Sequence, residues 1–338
     1  MCTCAWGVRR KVGRYHQFIR ARATRANQPP PPPLPVDVEV DAWLSQREQR
    51  ERALPRTARL WLLGATLLAS AVSFTPLVSG RDLAAIIGAL LFHELGHWTA
   101  MRACGYRDTG IFFIPLFGAV TTGRNDSATP AQRLLVLLAG PVPGLVLGAA
   151  LLATTSDEDV FRIASMFVGI NAFNLLPLVP LDGGQVVNLL FVGRHPWLSA
   201  GFHLLATAAF VGGAVLLQVP LVALPAVFLA LGFRSTLLAA RLAHGVREAG
   251  DGSDRAIAAA AFDWLRQHGG AQLSFAQRLN AVEAYRTSRT VRARSGLQLT
   301  GTALAYAAAL AIGPATWFAL ATTRGFDPNE AAACVPAE

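Results

Sequence analysis

Phe92-His93-Glu94-Leu95-Gly96-His97-Trp98 lies inside an apolar run over residues 83–103, and reading that run as a helix decides most of the fold. At 3.6 residues per turn His93 and His97 share one face, a turn apart, with Glu94 beside them. Two neutral imidazoles at this spacing can fill two corners of a zinc tetrahedron. A carboxylate one position on can take a proton from a water that the metal activates, without being a ligand itself. The flanks carry equal weight. An H-E-x-x-H motif in a soluble domain would not be set in about twenty nearly uncharged residues, the length that crosses a bilayer as a helix.

The rest of the composition agrees. Of 338 residues, 53% are apolar and only 15% charged, where soluble domains carry about 25% charged residues. Hydrophobic windows cover residues 60–78, 83–103, 134–153, 161–192, 202–217, 221–240 and 299–322. They predict an all-α polytopic membrane protein with about seven transmembrane helices. The formal net charge of +9 is distributed by side. If the chain starts inside, the amino-terminal arm, Arg102 and Arg107, Arg124 and Arg133, Arg194 and residues 241–294 all fall on the cytoplasmic face. The acidic turn at 154–159 and the tail after Phe326 fall outside, as the positive-inside tendency requires. Membrane lipid accounts for the basic surplus, and no nucleic-acid partner is expected. Cys2, Cys4, Cys104 and Cys334 have neither zinc-finger nor dense disulfide spacing and are read as free thiols.

Residues 1–35 hold no acidic residue, several arginines and the run Pro29 to Pro33, which reads as an unfolded basic arm. No apolar segment follows Arg9-Arg10, so neither a secretory nor a twin-arginine signal is expected, and the arm lacks the serines of a transit peptide. The predicted organisation is an arm with a short charged helix over 1–56 and a six-helix membrane core over 57–240 whose motifs lie in 83–191. A cytoplasmic helical pair follows over 241–298, then an extra span standing apart over 299–322 and a short outside tail over 323–338. In the pair, Phe275, Leu279, Val282 and Tyr285 make a stripe at helical spacing.

Three stretches of the core interrupt helices. Residues 110–123 are rich in β-branched and aromatic residues and too short to cross twice, which predicts a re-entrant, β-hairpin-like segment near the active site. Its free edge could pair with an extended peptide; the plainer alternative is an interfacial loop. Ala139-Gly140-Pro141-Val142-Pro143-Gly144 breaks the third span with residues suited to close helix approach. In Asn171-Ala172-Phe173-Asn174-Leu175-Leu176-Pro177-Leu178-Val179-Pro180-Leu181-Asp182-Gly183-Gly184, prolines end a helix and an aspartate is left among apolar residues.

Glu94 and Asp182 are the acidic residues within the apolar windows, and a carboxylate there is costly unless partnered. A cation held by His93, His97 and Asp182 would be that partner and would keep a fourth position open for water, as catalytic zinc sites do. The second and fourth windows both run inward, which brings the two motifs to similar depth. The competing reading is a set of hydrogen bonds bridging helices without metal. His203 is read as packed or snorkelling.

His93-Glu94-x-x-His97 and Asn174-x-x-Pro177-x-x-x-x-Asp182-Gly183, with the hairpin before Gly123 and Ala139-Gly140-Pro141, resemble the site-2 protease group of intramembrane zinc metalloproteases, peptidase family M50. The resemblance covers about residues 83–191. It implies one zinc ion on His93, His97 and Asp182, Glu94 as general base and then acid, and Asn174 as a polar contact to the substrate backbone or oxyanion. It further implies substrates that are membrane-spanning proteins, often anti-sigma or pro-sigma factor type regulators, and a bacterial inner membrane location with the amino terminus and active site toward the cytoplasm. Three features depart from the family. Many members have an asparagine a few residues after the Ala-Gly-Pro where this chain has Pro143-Gly144. No outside loop is long enough for a PDZ domain, and 241–298 is too short for paired nucleotide-sensing domains. A zinc transporter would need further ligands marking a path across the membrane, and an inactive scaffold should have lost a ligand or the base. Oligomeric state is not encoded legibly.

Overall fold

The structure is a computed structural model that describes residues 34–50, 55–116, 118–125, 127–190, 196–216, 218–246, 253–270, 273–290 and 296–324. The basic arm, Arg194, Cys2, Cys4, Cys334 and the acidic tail lie outside them. In chain order the helices are α1 (Val36–Arg50), α2 (Arg56–Phe74) and α3 (Gly80–Ala103), then strands β1 (Arg107–Ile114) and β2 (Gly118–Arg124). They continue with α4 (Pro130–Ala139), α5 (Pro141–Thr154), α6 (Glu158–Asn174), α7 (Asp182–Leu190), α8 (Pro196–Leu216), α9 (Leu224–Gly245), α10 (Asp254–Gln267), α11 (Phe275–Thr290) and α12 (Gly296–Arg324). The expected all-α polytopic class with one small hairpin is what is found.

Four described stretches are helical, long and apolar enough to cross a membrane: Thr57–Phe74, Gly80–Ala103, Pro130–Thr154 and Leu224–Gly245. Ala200–Leu216 and Thr300–Gly313 are apolar but shorter. The expected count of seven is therefore not reproduced by length. The window 161–192 contains two helices, α6 and α7, parted around Pro177 and Pro180 as its prolines predict.

The chain divides into two compact units. The larger one, which includes α2 to α7 and α12, holds both motifs. Ser79 caps α3 by accepting from the Asp82 amide, and Asp157 caps α6 by accepting from Val160. Arg162 near the start of α6 lies 3.6 Å from Asp82 near the start of α3. The two helices thus begin together and run the same way. At about 1.5 Å per residue, His93 and Asn171 reach the same level, and they do touch.

The hairpin forms where expected, with Ile111 opposite Thr121 and Phe113 opposite Ala119. Its two edges differ. The outer edge of β1 is covered by α2, whose Thr66 and Ser73 hydroxyls accept from the amides of Phe113 and Leu116, while Arg59 donates to the Thr109 carbonyl. No further strand pairs with β2 among the described residues, and Ala119, Val120 and Thr121 of that strand line the central cavity.

Although residues 299–322 stand apart in sequence, α12 is part of this unit's core. Its Tyr306 and Ala309 are buried with Leu145 and Leu152 of α5, Val168 of α6 and Val186 of α7. The Tyr306 hydroxyl donates to the Leu175 carbonyl at 2.7 Å, at the end of α6.

The smaller unit contains α1, α10, α11 and the end of α9. Leu279, Val282 and Tyr285 of the predicted stripe are buried, and they meet Val40 and Trp43 of α1 as well as Phe262 and Leu265 of α10. Here lies a fully buried carboxylate, Glu39, with Arg278 Nε donating to it at 2.8 Å and Arg266 3.7 Å away. Burial pushes the Glu39 carboxyl above its ordinary range, and Arg278 and Arg266 offset this only in part. A carboxyl raised in the folded state binds more protons there than in the unfolded chain. Its contribution to stability is therefore greatest at low pH and is lost as pH rises through the folded value. Arg278→Met removes the hydrogen-bonded partner and leaves the carboxylate only the more distant Arg266, and is expected to cost up to about 3–5 kcal/mol. Hydrogen exchange of the α10 and α11 amides in the full-length protein would show this as faster exchange, relieved by adding Glu39→Gln.

Candidate metal centre

The buried residues of α3 are Ala89, His93, Glu94, His97 and Ala100, a set with helical spacing that puts the motif on the packed face. Glycine allows what that face packs against. A methyl at Gly96 would overlap the Ala139 carbonyl, and one at Gly140 would overlap the His97 imidazole. The Ala-Gly-Pro break was expected to serve helix packing. It does, and it also lets the α4 terminus reach a candidate ligand: His97 Nδ1 donates to the Val136 carbonyl at 2.7 Å. That carbonyl lies in the last turn of α4, where helical partners run out.

Asp182 arrives from the other motif. It opens α7, and the loop before it folds back so tightly that a Cβ at Gly183 would overlap the Leu175 carbonyl and one at Gly184 the Leu178 backbone. This explains the Asp-Gly-Gly sequence better than a need for positive φ. As a result His93 Nε2 lies 3.0 Å from His97 Nε2, and Asp182 Oδ2 lies 3.1 Å from each. Among the described residues these three make the one group of His, Cys, Asp or Glu side chains whose donor atoms converge in this way.

Hydrogen-bond polarity shows what such a triangle needs. His93 Nδ1 lies 2.9 Å from Asn171 Oδ1, and His97 Nδ1 faces a carbonyl, so both Nδ1 atoms carry protons and, in the neutral rings that a metal requires, both Nε2 atoms present lone pairs. With the carboxylate oxygen, the three inward atoms are all acceptors. Acceptors packed about 3 Å apart repel one another unless a metal ion lies among them or a proton bridges two of them. Tetrahedral zinc with bonds of about 2.0–2.1 Å holds its ligands about 3.3 Å apart, so the donor set and its spacing fit that ion.

Glu94 is buried beside the triangle, and its Oε2 accepts from the Thr121 hydroxyl of β2 at 2.6 Å. Asn174 is half-buried, donates one amide proton to the Ile170 carbonyl at 3.1 Å and lines the same cavity of about 290 Å³. All five residues singled out from sequence, His93, Glu94, His97, Asn174 and Asp182, thus border one cavity. Three others were missed: Val136, Thr121 and Asn171. A backbone carbonyl leaves no side-chain signal, and Thr121 looks like an ordinary strand residue. Asn171 did carry a signal, as a polar residue inside an apolar window one turn before Asn174.

Residues 82–159 match the model of peptidase family M50. The chain is 30% identical over 155 residues to Rip3 of Mycobacterium tuberculosis, covering 40% of this chain and 39% of that one. It is 30% identical over 125 residues to stage IV sporulation protein FB of Bacillus subtilis, covering 36% and 43%. With zinc metalloprotease MJ0392 of Methanocaldococcus jannaschii it shares 24% identity over 120 residues, covering 33% and 34%. The chain thus spans about two fifths or less of the length of these relatives. The family-model match stops short of Asp182, which the fold brings beside the motif.

Proposed function

Taking the motif-bearing core as a member of the site-2 protease family, peptidase family M50, we propose that the protein is an intramembrane zinc metalloprotease that hydrolyses peptide bonds within or near transmembrane segments. The observation that carries this is the buried acceptor triangle of His93, His97 and Asp182 with Glu94 beside it, the two histidines and the glutamate on a helix long and apolar enough to cross a bilayer. One zinc ion held by these three residues would polarise a carbonyl and acidify water there.

The chain's own groups supply the rest. Glu94 takes a proton from the attacking water and returns it to the leaving amine, while Thr121 fixes one of its oxygens. Asn174 has an amide proton beyond the one given to Ile170, and it donates this to the carbonyl oxygen as charge develops. A helical substrate must first unwind, because its peptide groups are bonded internally. The outer edge of β2 offers replacement partners by strand addition. The edge of β1 cannot, because α2 covers it. Substrates of this kind are membrane-tethered regulators such as anti-sigma or pro-sigma factors, in a bacterial inner membrane with the site toward the cytoplasm.

The test is reconstitution of the full-length protein in liposomes with a single-span reporter. Cleavage at the span is expected, lost when a chelator strips the metal and regained with stoichiometric zinc. Cleavage that persists in metal-free protein would overturn the reading.

A further inference from the structure

Asn171 has no part in the chemistry above, yet it is fully buried, and a buried amide left unpaired costs several kcal/mol. Both ends are paired. Its Nδ2 donates to the Phe167 carbonyl at 2.7 Å, one turn back on α6, and its Oδ1 faces His93 Nδ1 at 2.9 Å. The carbonyl can only accept, so it fixes which end of the amide points at the imidazole. Oδ1 can then only accept, so His93 must donate from Nδ1. The neutral ring is then left with its Nε2 lone pair aimed at His97 and Asp182. A single chain of polarity runs from the Phe167 carbonyl to the centre of the site.

Space for this amide comes from α5. A Cβ at Gly144 would overlap the Asn171 carboxamide, meeting Nδ2, Cγ and Oδ1 alike. Gly144 follows the Gly140-Pro141 break by one helical turn, so the interruption that admits His97 against α4 is continued by a notch that admits the partner of His93. We infer that Asn171 is a positioning residue that sets the tautomer and orientation of His93, and that Gly144 is the notch it requires.

This rests on the zinc reading, and the experiment separates the two. Zinc affinity is measured on metal-free, full-length protein in detergent by competition with a chromophoric chelator, alongside thermal unfolding without metal. Loss of a partner to a ligating histidine lowers affinity about 10- to 100-fold, and Asn171→Leu, close in size but unable to accept, is expected to show that loss with metal-free unfolding little changed. Gly144→Ala is expected to lower affinity in the same way although Asn171 is intact. Asn171→Asp, which still accepts from Nδ1, is expected to stay within a few-fold of wild type. Wild-type protein that takes up no zinc would overturn the zinc reading itself. Wild type binding zinc with Asn171→Leu binding as tightly would overturn this inference alone. Equal losses in Asn171→Leu and Asn171→Asp would also overturn it, since they would show that fit rather than hydrogen-bond acceptance matters.

Discussion

Glu94→Gln is expected to retain zinc and fold while cleaving a reporter about 10²- to 10⁴-fold more slowly, the usual worth of general acid–base catalysis. The geometry makes this substitution unusually clean. Glu94 is buried and the Thr121 hydroxyl donates to its Oε2, a bond that the amide oxygen of glutamine can accept equally. Shape, packing and the contact to β2 are therefore kept, and basicity is lost. A slowing of that size is about 3–5.5 kcal/mol in the barrier, far more than an altered hydrogen bond would cost. Zinc content and cleavage rate measured on the same preparation decide it. Full activity with full zinc would remove Glu94 from the mechanism. In cells, the membrane proteome of the Glu94→Gln strain should accumulate a single-pass protein that the wild type clears.

How much of this was legible in sequence depended on whether a residue's purpose is local. His93, Glu94 and His97 announce themselves because helical spacing alone puts them on one face. Asp182 could be paired with them because a lone carboxylate among apolar residues demands a partner, and few were on offer. The hairpin was legible from its β-branched and aromatic content between spans. Purposes set by a distant neighbour were not visible. Gly144 reads as a small residue in a kinked helix until Asn171 is seen in the space it leaves. Val136 contributes through its backbone, and Thr121 through a register that only strand pairing fixes. Two features of the helix layout have the same origin. Hydropathy alone counts the window 161–192 as one span, and only its prolines tell that the helix ends inside it, as it does between α6 and α7. Likewise, residues 299–322 stand apart in sequence, and distance along the chain hides the packing of Tyr306 and Ala309 in the core.

Asp182→Ala is expected to lose both metal and activity, and it tests the part of the site that the fold supplies. The family match ends at residue 159, so the aspartate's place beside the histidines rests on the loop between α6 and α7. If about 10–16 kcal/mol of zinc binding is shared among four ligands, one ligand is worth about 3–4 kcal/mol, or about 10²- to 10³-fold in affinity. The two histidines would remain, with Nε2 atoms 3.0 Å apart and their Nδ1 protons still held by Asn171 and Val136, too few donors to keep the ion through dialysis. The substitution should not disturb the backbone, because the tight fold of this loop depends on Gly183 and Gly184. What the helix loses is an acidic residue in its first turn, worth about 0.3–1 kcal/mol. Asp182→Asn refines the test, since it keeps an oxygen in place but removes the charge, and it should bind zinc more weakly than wild type and more tightly than Asp182→Ala. Stoichiometric zinc in dialysed Asp182→Ala protein would exclude the aspartate as a ligand and leave its burial against two imidazoles without a cation to explain it.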